Sequence, residues 1–205
     1  MASSWERLAT YTIPSGQTSN TISRTITAKR YLRIEGYILK TSSSTELVVR
    51  FNDDSSGTHG SSGNYARRKF NNGSGGTDEN GNKLELIGGE ATPAYFTMCI
   101  GNIADREKLC TTQIVRASTD TGVDGVPFRA ENFGKWVNTT HPITQIDLLS
   151  VSSTFAAGST VTIWGADDQG TTPFYPNLSN GTLFEESDTG KIYMWDGTDT
   201  WNEMT

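Results

Sequence analysis

Two histidines, His59 and His141, two cysteines, Cys99 and Cys110, and a few neighbouring carboxylates are what this sequence offers for proton, nucleophile or metal chemistry. None of the spacings that make a nucleophile elbow, a zinc-protease helix, a phosphate loop or a dinucleotide fingerprint occurs. A Ser–His–Asp site would have to use His59, in a Gly/Ser stretch, or His141, which precedes Pro142; both positions read as exposed turns. The pairs Asp53-Asp54, Asp167-Asp168 and Glu185-Glu186 contain the groups that glycoside hydrolysis needs. Adjacent residues on a strand point to opposite faces, however, so such neighbours make poor catalytic couples. Asn52-Asp53-Asp54 carries hard oxygens of the kind that bind calcium, without the fuller spacing of a calcium loop. The sequence therefore nominates no catalytic residue, no cofactor and no metal site, and reads as a non-enzyme.

The cysteines lie in two apolar runs, Ala94–Ile100 and Leu109–Ala117. A hairpin turning at Ala104-Asp105 would put Cys99 directly opposite Cys110, on one face. Directly opposed antiparallel positions strain a disulfide, so two reduced, half-buried thiols are expected. The Met1-Ala-Ser-Ser-Trp start lacks the apolar core of an export signal, and the four Asn-x-Ser/Thr sequons are ascribed to chance in a chain with 49 Ser and Thr.

These residues must be positioned by strands. Thr, Val, Ile and aromatics are plentiful, Gly numbers 21 and Ala only 12, a balance that disfavours helices. Alternating or apolar runs recur at Leu8–Ile13, Ile22–Ile26, Tyr31–Leu39, Thr45–Asn52, Tyr65–Phe70, Leu84–Ile87, Tyr95–Ile100, Leu109–Val115, Phe128–Val137, Ile143–Val151 and Thr160–Gly165. The segments Asp53–Gly63 and Asn71–Asn82, rich in Gly, Ser, Asn and Asp, read as polar loops. Nine to eleven short strands without a helical period predict an all-β fold, an antiparallel β-sandwich or jelly roll over residues 1–166. Ile143–Val151 is too mixed to assign its faces.

After an extended linker, 167–181, the residues 182–205 read as a small aromatic meander of two or three strands, with turns at Asp188-Thr-Gly and Asp196-Gly-Thr-Asp. So few residues cannot form their own core. Phe174, Tyr175, Phe184, Tyr193, Trp195 and Trp201 are accordingly the candidate docking interface. A second surface is nominated by Tyr65, Trp136 and Trp164, rings able to stack on host glycans if they are exposed. The net charge of −6 and the single dense basic group, Arg67-Arg68-Lys69, argue against nucleic acid as a partner; that group reads as a solvated strand end. No apolar run approaches the roughly 20 residues that cross a bilayer, so no membrane partner is expected.

Several motifs look familiar together: Phe51-Asn-Asp-Asp, Gly63-Asn-Tyr, His141-Pro-Ile-Thr-Gln-Ile-Asp-Leu, Phe155-Ala-Ala-Gly-Ser and Ile163-Trp-Gly. From Leu32 to Gly165 the chain resembles small β-sandwich structural proteins of tailed phages and archaeal viruses. The stretch Asn180-Gly-Thr-Leu-Phe-Glu-Glu-Ser-Asp-Thr-Gly-Lys-Ile-Tyr-Met-Trp-Asp-Gly, followed by Trp201, looks like a short module recurring in viral structural and fibre proteins. The resemblance implies a virion component made in the host cytoplasm, a capsid decoration, turret or tail-associated protein. It further implies a homo-oligomer, a trimer or pentamer, contacting the major capsid protein or other virion proteins, and it brings no catalytic residues. Host-glycan recognition is the competing expectation. The Asp53–Gly63 insertion departs from the pattern.

Overall fold

A computed structural model describes residues 4–41, 46–58, 62–87, 92–118, 122–123, 125–168, 179–197 and 200–204. The chain divides into two compact units, residues 2–167 and 168–205. In the first unit the strands are β1 (Glu6–Thr12), β2 (Thr21–Thr25), β3 (Tyr31–Ile38), β4 (Glu46–Phe51), β5 (Gly57–Thr58), β6 (Ser62–Gly63) and β7 (Tyr65–Asn71). They continue with β8 (Ser74–Gly81), β9 (Leu84–Ile87), β10 (Ala94–Gly101), β11 (Lys108–Arg116), β12 (Phe128–Trp136), β13 (Gln145–Val151) and β14 (Thr160–Ala166).

An eight-stranded antiparallel sheet, ordered β1-β14-β3-β10-β11-β12-β7-β8, lies over a four-stranded one, β2-β13-β4-β9. No helix occurs among the described residues. The fold is all-β and sandwich-like, as the strand periodicity predicts. Strict alternation shows why: along β3, Leu32, Ile34 and Ile38 are buried while Arg33 and Tyr37 are exposed. Their partners from the smaller sheet are Ile22, Leu47, Val49, Phe51, Leu84, Ile146 and Leu148, and the two sets form one apolar core. At roughly 25 cal/mol per Å² of apolar area, each such side chain contributes about 1.5–3 kcal/mol. In β13, whose faces the sequence leaves mixed, Ile146 and Leu148 point into that core. On its other side Asp147 is covered, accepting bonds from Ser23 and Gln145.

Three expectations are corrected. First, β8 is a strand, not loop. Asn72 (φ 48°) and Gly73 (φ 77°) form the left-handed two-residue turn that closes a β7–β8 hairpin. With no apolar residue on β8 to alternate, its pairing rests on cross-strand charge: Arg67 lies opposite Glu79 and Arg68 opposite Asp78.

Second, Arg67-Arg68-Lys69 is not a solvated strand end. Arg67 is buried and paired with Glu79 and, at 2.7 Å, with Glu85; Lys69 meets Glu85 at 2.9 Å, and Arg68 holds Asp78 through two bonds. Arg67 and Lys69 are spent inside the fold, while Arg68 stays exposed in its pair with Asp78.

Third, Cys99 does not oppose Cys110. The register pairs Cys99 with Thr111 and Cys110 with Ile100, one residue from the expected pairing, and a one-residue slip moves a side chain to the other face. Cys99 is exposed, Cys110 is buried, and both are free thiols. The cause lies in the connection. Asn102 leaves the ladder because its amide donates to Lys29 O and Ile143 O while its Oδ1 accepts from Ile143 N at 2.6 Å. Beyond it, the fully buried Lys108 ammonium donates to Ala104 O, Arg106 O and Asn138 O, which centres the bend on Asp105.

The second unit is a three-stranded antiparallel sheet of β15 (Leu183–Glu185), β16 (Ile192–Trp195) and β17 (Trp201–Met204), in that order. Gly190 and Gly197 take left-handed φ in its two turns, at the positions the Asp-x-Gly and Asp-Gly signals mark.

Candidate interaction surfaces

The residues of the Phe51-Asn-Asp-Asp, Gly63-Asn-Tyr and Phe155-Ala-Ala-Gly-Ser motifs are joints. Asn52 and Asp53 both have left-handed φ (53° and 55°), which turns the chain out of β4. Asn52 then uses its whole side chain to hold the 142–145 segment. Its amide donates to Pro142 O at 2.8 Å, and its Oδ1 accepts from Thr144 N and Gln145 N at 2.8 and 2.9 Å. Asp53 accepts from Gln145 Nε2 at 2.7 Å. The Asp54 carboxylate takes Trp136 Nε1 at 2.7 Å, Asn64 Nδ2 at 2.8 Å and Ser56 N at 3.0 Å.

Tyr65 completes the corner: its hydroxyl accepts from Phe51 N at 2.9 Å, and its ring lies stacked on Trp136 at 6.4 Å. The Asn52-Asp53-Asp54 oxygens, of the kind that bind calcium, are thus engaged by protein donors. Among the described residues no three His, Cys, Asp or Glu side chains form a metal cluster. Phe155-Ala-Ala-Gly-Ser is a second joint. Phe155 is fully buried and exchanges backbone bonds with Ser19, Gly158 takes φ 85°, and buried Ser159 both donates to and accepts from the Leu39 backbone.

Of the rings nominated for glycan stacking, Tyr65 and Trp136 are each 1 % exposed and belong to the core, so they cannot face a sugar. Trp164 alone lies on an outer face, half-buried, its indole donating to Glu35 at 3.0 Å. His141 sits on an exposed turn, its Nδ1 2.9 Å from Thr140 Oγ1, and His59 lies outside the described residues.

In the second unit, strand parity places four of the six nominated interface residues together. Phe184, Tyr193, Trp195 and Trp201 share one face, with ring centroids 5.3–6.4 Å apart, and Trp195 is buried. Phe174 and Tyr175 lie outside the described residues. The opposite face was not anticipated. It carries Leu183, Ile192 and Met204, all exposed. The alternation of these apolar residues with the aromatic ones was readable in the sequence. Residues 168–205 also hold seven carboxylates against Lys191 alone, so the whole net charge of −6 resides there and residues 1–167 balance to zero.

A further surface appears only in the folded sheet. The outer side of the small sheet carries Ser23, Arg50, Gln145 and Asp147 together with Val48 and Leu149, and Val48 and Asp147 are covered. The outer side of the large sheet is mixed: a polar row of Glu35, Thr97, Gln113 and Glu131 crosses it, with apolar residues on either side. Register aligns Tyr37, Tyr95 and Val115 in one row, all exposed. Two further rows bring Cys99, Thr111 and Phe133 beside Gly101, Leu109 and Lys135. Between the last two rows and Trp5, away from the tyrosine row, runs a mostly apolar groove of about 900 Å³.

The chain matches no protein-family model, and neither a curated protein nor a solved structure is significantly similar to it.

Proposed function

We propose that this chain is a non-enzymatic structural component of a virus particle, a capsid decoration, turret or tail-associated protein, that assembles as a symmetric homo-oligomer and attaches through its C-terminal unit. The observation that carries this reading is the two-sided apolar character of that unit. A three-stranded sheet with Phe184, Tyr193 and Trp201 on one face and Leu183, Ile192 and Met204 on the other cannot bury both by itself. Its exposed apolar residues suit attachment to another surface. The motif resemblance supports the reading by analogy; in this fold the same residues brace the ends of the sandwich.

Quantitative mass spectrometry of purified particles tests it, with copies of this chain expressed relative to the major capsid protein. One copy per few capsid subunits is expected for a decoration or turret, and a few copies per particle for a tail or single-vertex position. Absence from the particles would defeat the proposal.

A further inference from the structure

We infer that the outer face of the eight-stranded sheet is a two-fold interface between two copies of this chain. The inference rests on the homo-oligomer of the proposed function and names the surface and the partner; it puts a two-fold pair in place of the trimer or pentamer that the resemblance implies.

The first ground is that the face departs from its own architecture. An antiparallel sheet turned to water alternates apolar-in with polar-out. Here the outward positions include Leu109 at 62 % exposure, Phe133 at 51 %, and Tyr37 and Tyr95 at 47 % each. Scattered surface apolar residues need no explanation; Leu109 and Phe133, gathered by two adjoining rows around one groove, do, and Tyr37, Tyr95 and Val115 form a second patch across the polar row.

The second ground is shape. A two-fold contact uses the same patch on both partners, so that patch must contain both projections and hollows. This one does. Gly101 puts no side chain into its row, where a Cβ would have only Leu109 O near it, at 3.9 Å. Thr111 and Cys99 keep the groove floor low beside Gly101, while Leu109 and Phe133 stand up as its walls. Leu109 and Phe133 of one copy can enter the groove of the other, and the reverse.

The third ground is charge. Arg68–Asp78, Lys135–Glu107 and Arg33–Glu35 neutralise one another around the patch, at 2.6–2.9 Å. Residues 1–167 carry no net charge. A like copy is therefore not repelled here, whereas two of the acidic C-terminal units would repel each other.

The fourth ground is area. With strands about 4.8 Å apart and a rise of about 3.3 Å per residue, the whole face of eight strands, apolar patches and polar rim together, is on the order of 900 Å². A stable complex buries about 800 Å² per partner.

The test uses the full chain and reads mass and thiol accessibility together. Sedimentation or light scattering should give two chains, or an even number, dissociating on dilution. Leu109→Glu should convert the assembly to monomer, and Phe133→Glu, on the other wall, should do the same; both sites are exposed, and a urea melt confirms that each variant folds. Cys99, on the groove floor, should alkylate at least tenfold more slowly in the assembled wild type than in either variant. Three results would overturn the inference. One is a wild-type monomer with freely reactive Cys99, and another is a monomer whose Cys99 is nonetheless protected by another part of the same chain. The third is an odd-numbered assembly that neither substitution disturbs. A monomer abundant on purified particles would remove this contact and leave the particle assignment standing. An even-numbered assembly from a chain absent from particles would do the opposite.

Discussion

Asp54→Ala tests the claim that the motif residues are joints. The side chain receives three donors, and the outcome depends on which of them recover water when it is removed. Asn64 is half-buried and Ser56 exposed, so each regains solvent and the loss is small, about 0.5 kcal/mol apiece. The Trp136 indole does not. Its ring is 1 % exposed and packed against Phe51 and Tyr65, so without Asp54 its N–H is left in the core without an acceptor, at about 1–3 kcal/mol. The sum is about 2–4 kcal/mol, measured as the shift of the urea midpoint at constant slope.

Asp54→Asn keeps an acceptor for the indole and should lose about 1 kcal/mol. It also separates charge from geometry. Burial raises the Asp54 pKa, but donation from Trp136, then Asn64 and Ser56, outweighs burial and holds the carboxyl below its ordinary 3.8. A carboxyl with a depressed folded value stabilises the fold above the unfolded value. That contribution disappears as pH falls through the folded one. Wild-type stability should therefore fall below pH 3.8 by an increment that Asp54→Asn lacks. A loss under about 0.5 kcal/mol in Asp54→Ala, or identical acid limbs for wild type and Asp54→Asn, would refute the reasoning.

Two further outcomes follow from the corrected elements. Glu85→Ala removes the carboxylate shared by buried Arg67 and Lys69, which leaves cationic charge in the fold; a loss of about 3 kcal/mol is expected in the same urea assay, and a neutral result would show that Glu79 alone suffices. In the native protein a disulfide-exchange reagent should titrate one thiol, Cys99, and reach the second only on unfolding, because burial pushes the Cys110 thiol up to about 12; two fast thiols at pH 8 would contradict the register.

The strands themselves were legible in the sequence because their cause is local. A two-residue apolar period, β-branched side chains and Gly, Asn and Asp punctuation act within a few residues, and they marked every core strand of both units. The β7–β8 hairpin was equally available through Asn72-Gly73, but the absence of apolar residues beyond it masked the signal. The meander of the second unit was legible for the same local reason, and strand parity then placed Phe184, Tyr193, Trp195 and Trp201 on one side.

What only the tertiary structure decided depends on distant pairing. Cys99 and Cys110 came to lie on opposite faces because Asn102 is drawn out of the ladder by Lys29 and Ile143, 73 and 41 residues away. Arg67 ceased to be a surface charge because Glu79 and Glu85 come to lie beside it. Tyr65 and Trp136 became core, and Asn52 a brace, through partners up to 93 residues distant. The apolar outer face belongs to no single strand. Each of its rows takes residues from strands that are neighbours only in space, so composition and periodicity state that apolar side chains point outward, and register alone assembles them into a surface.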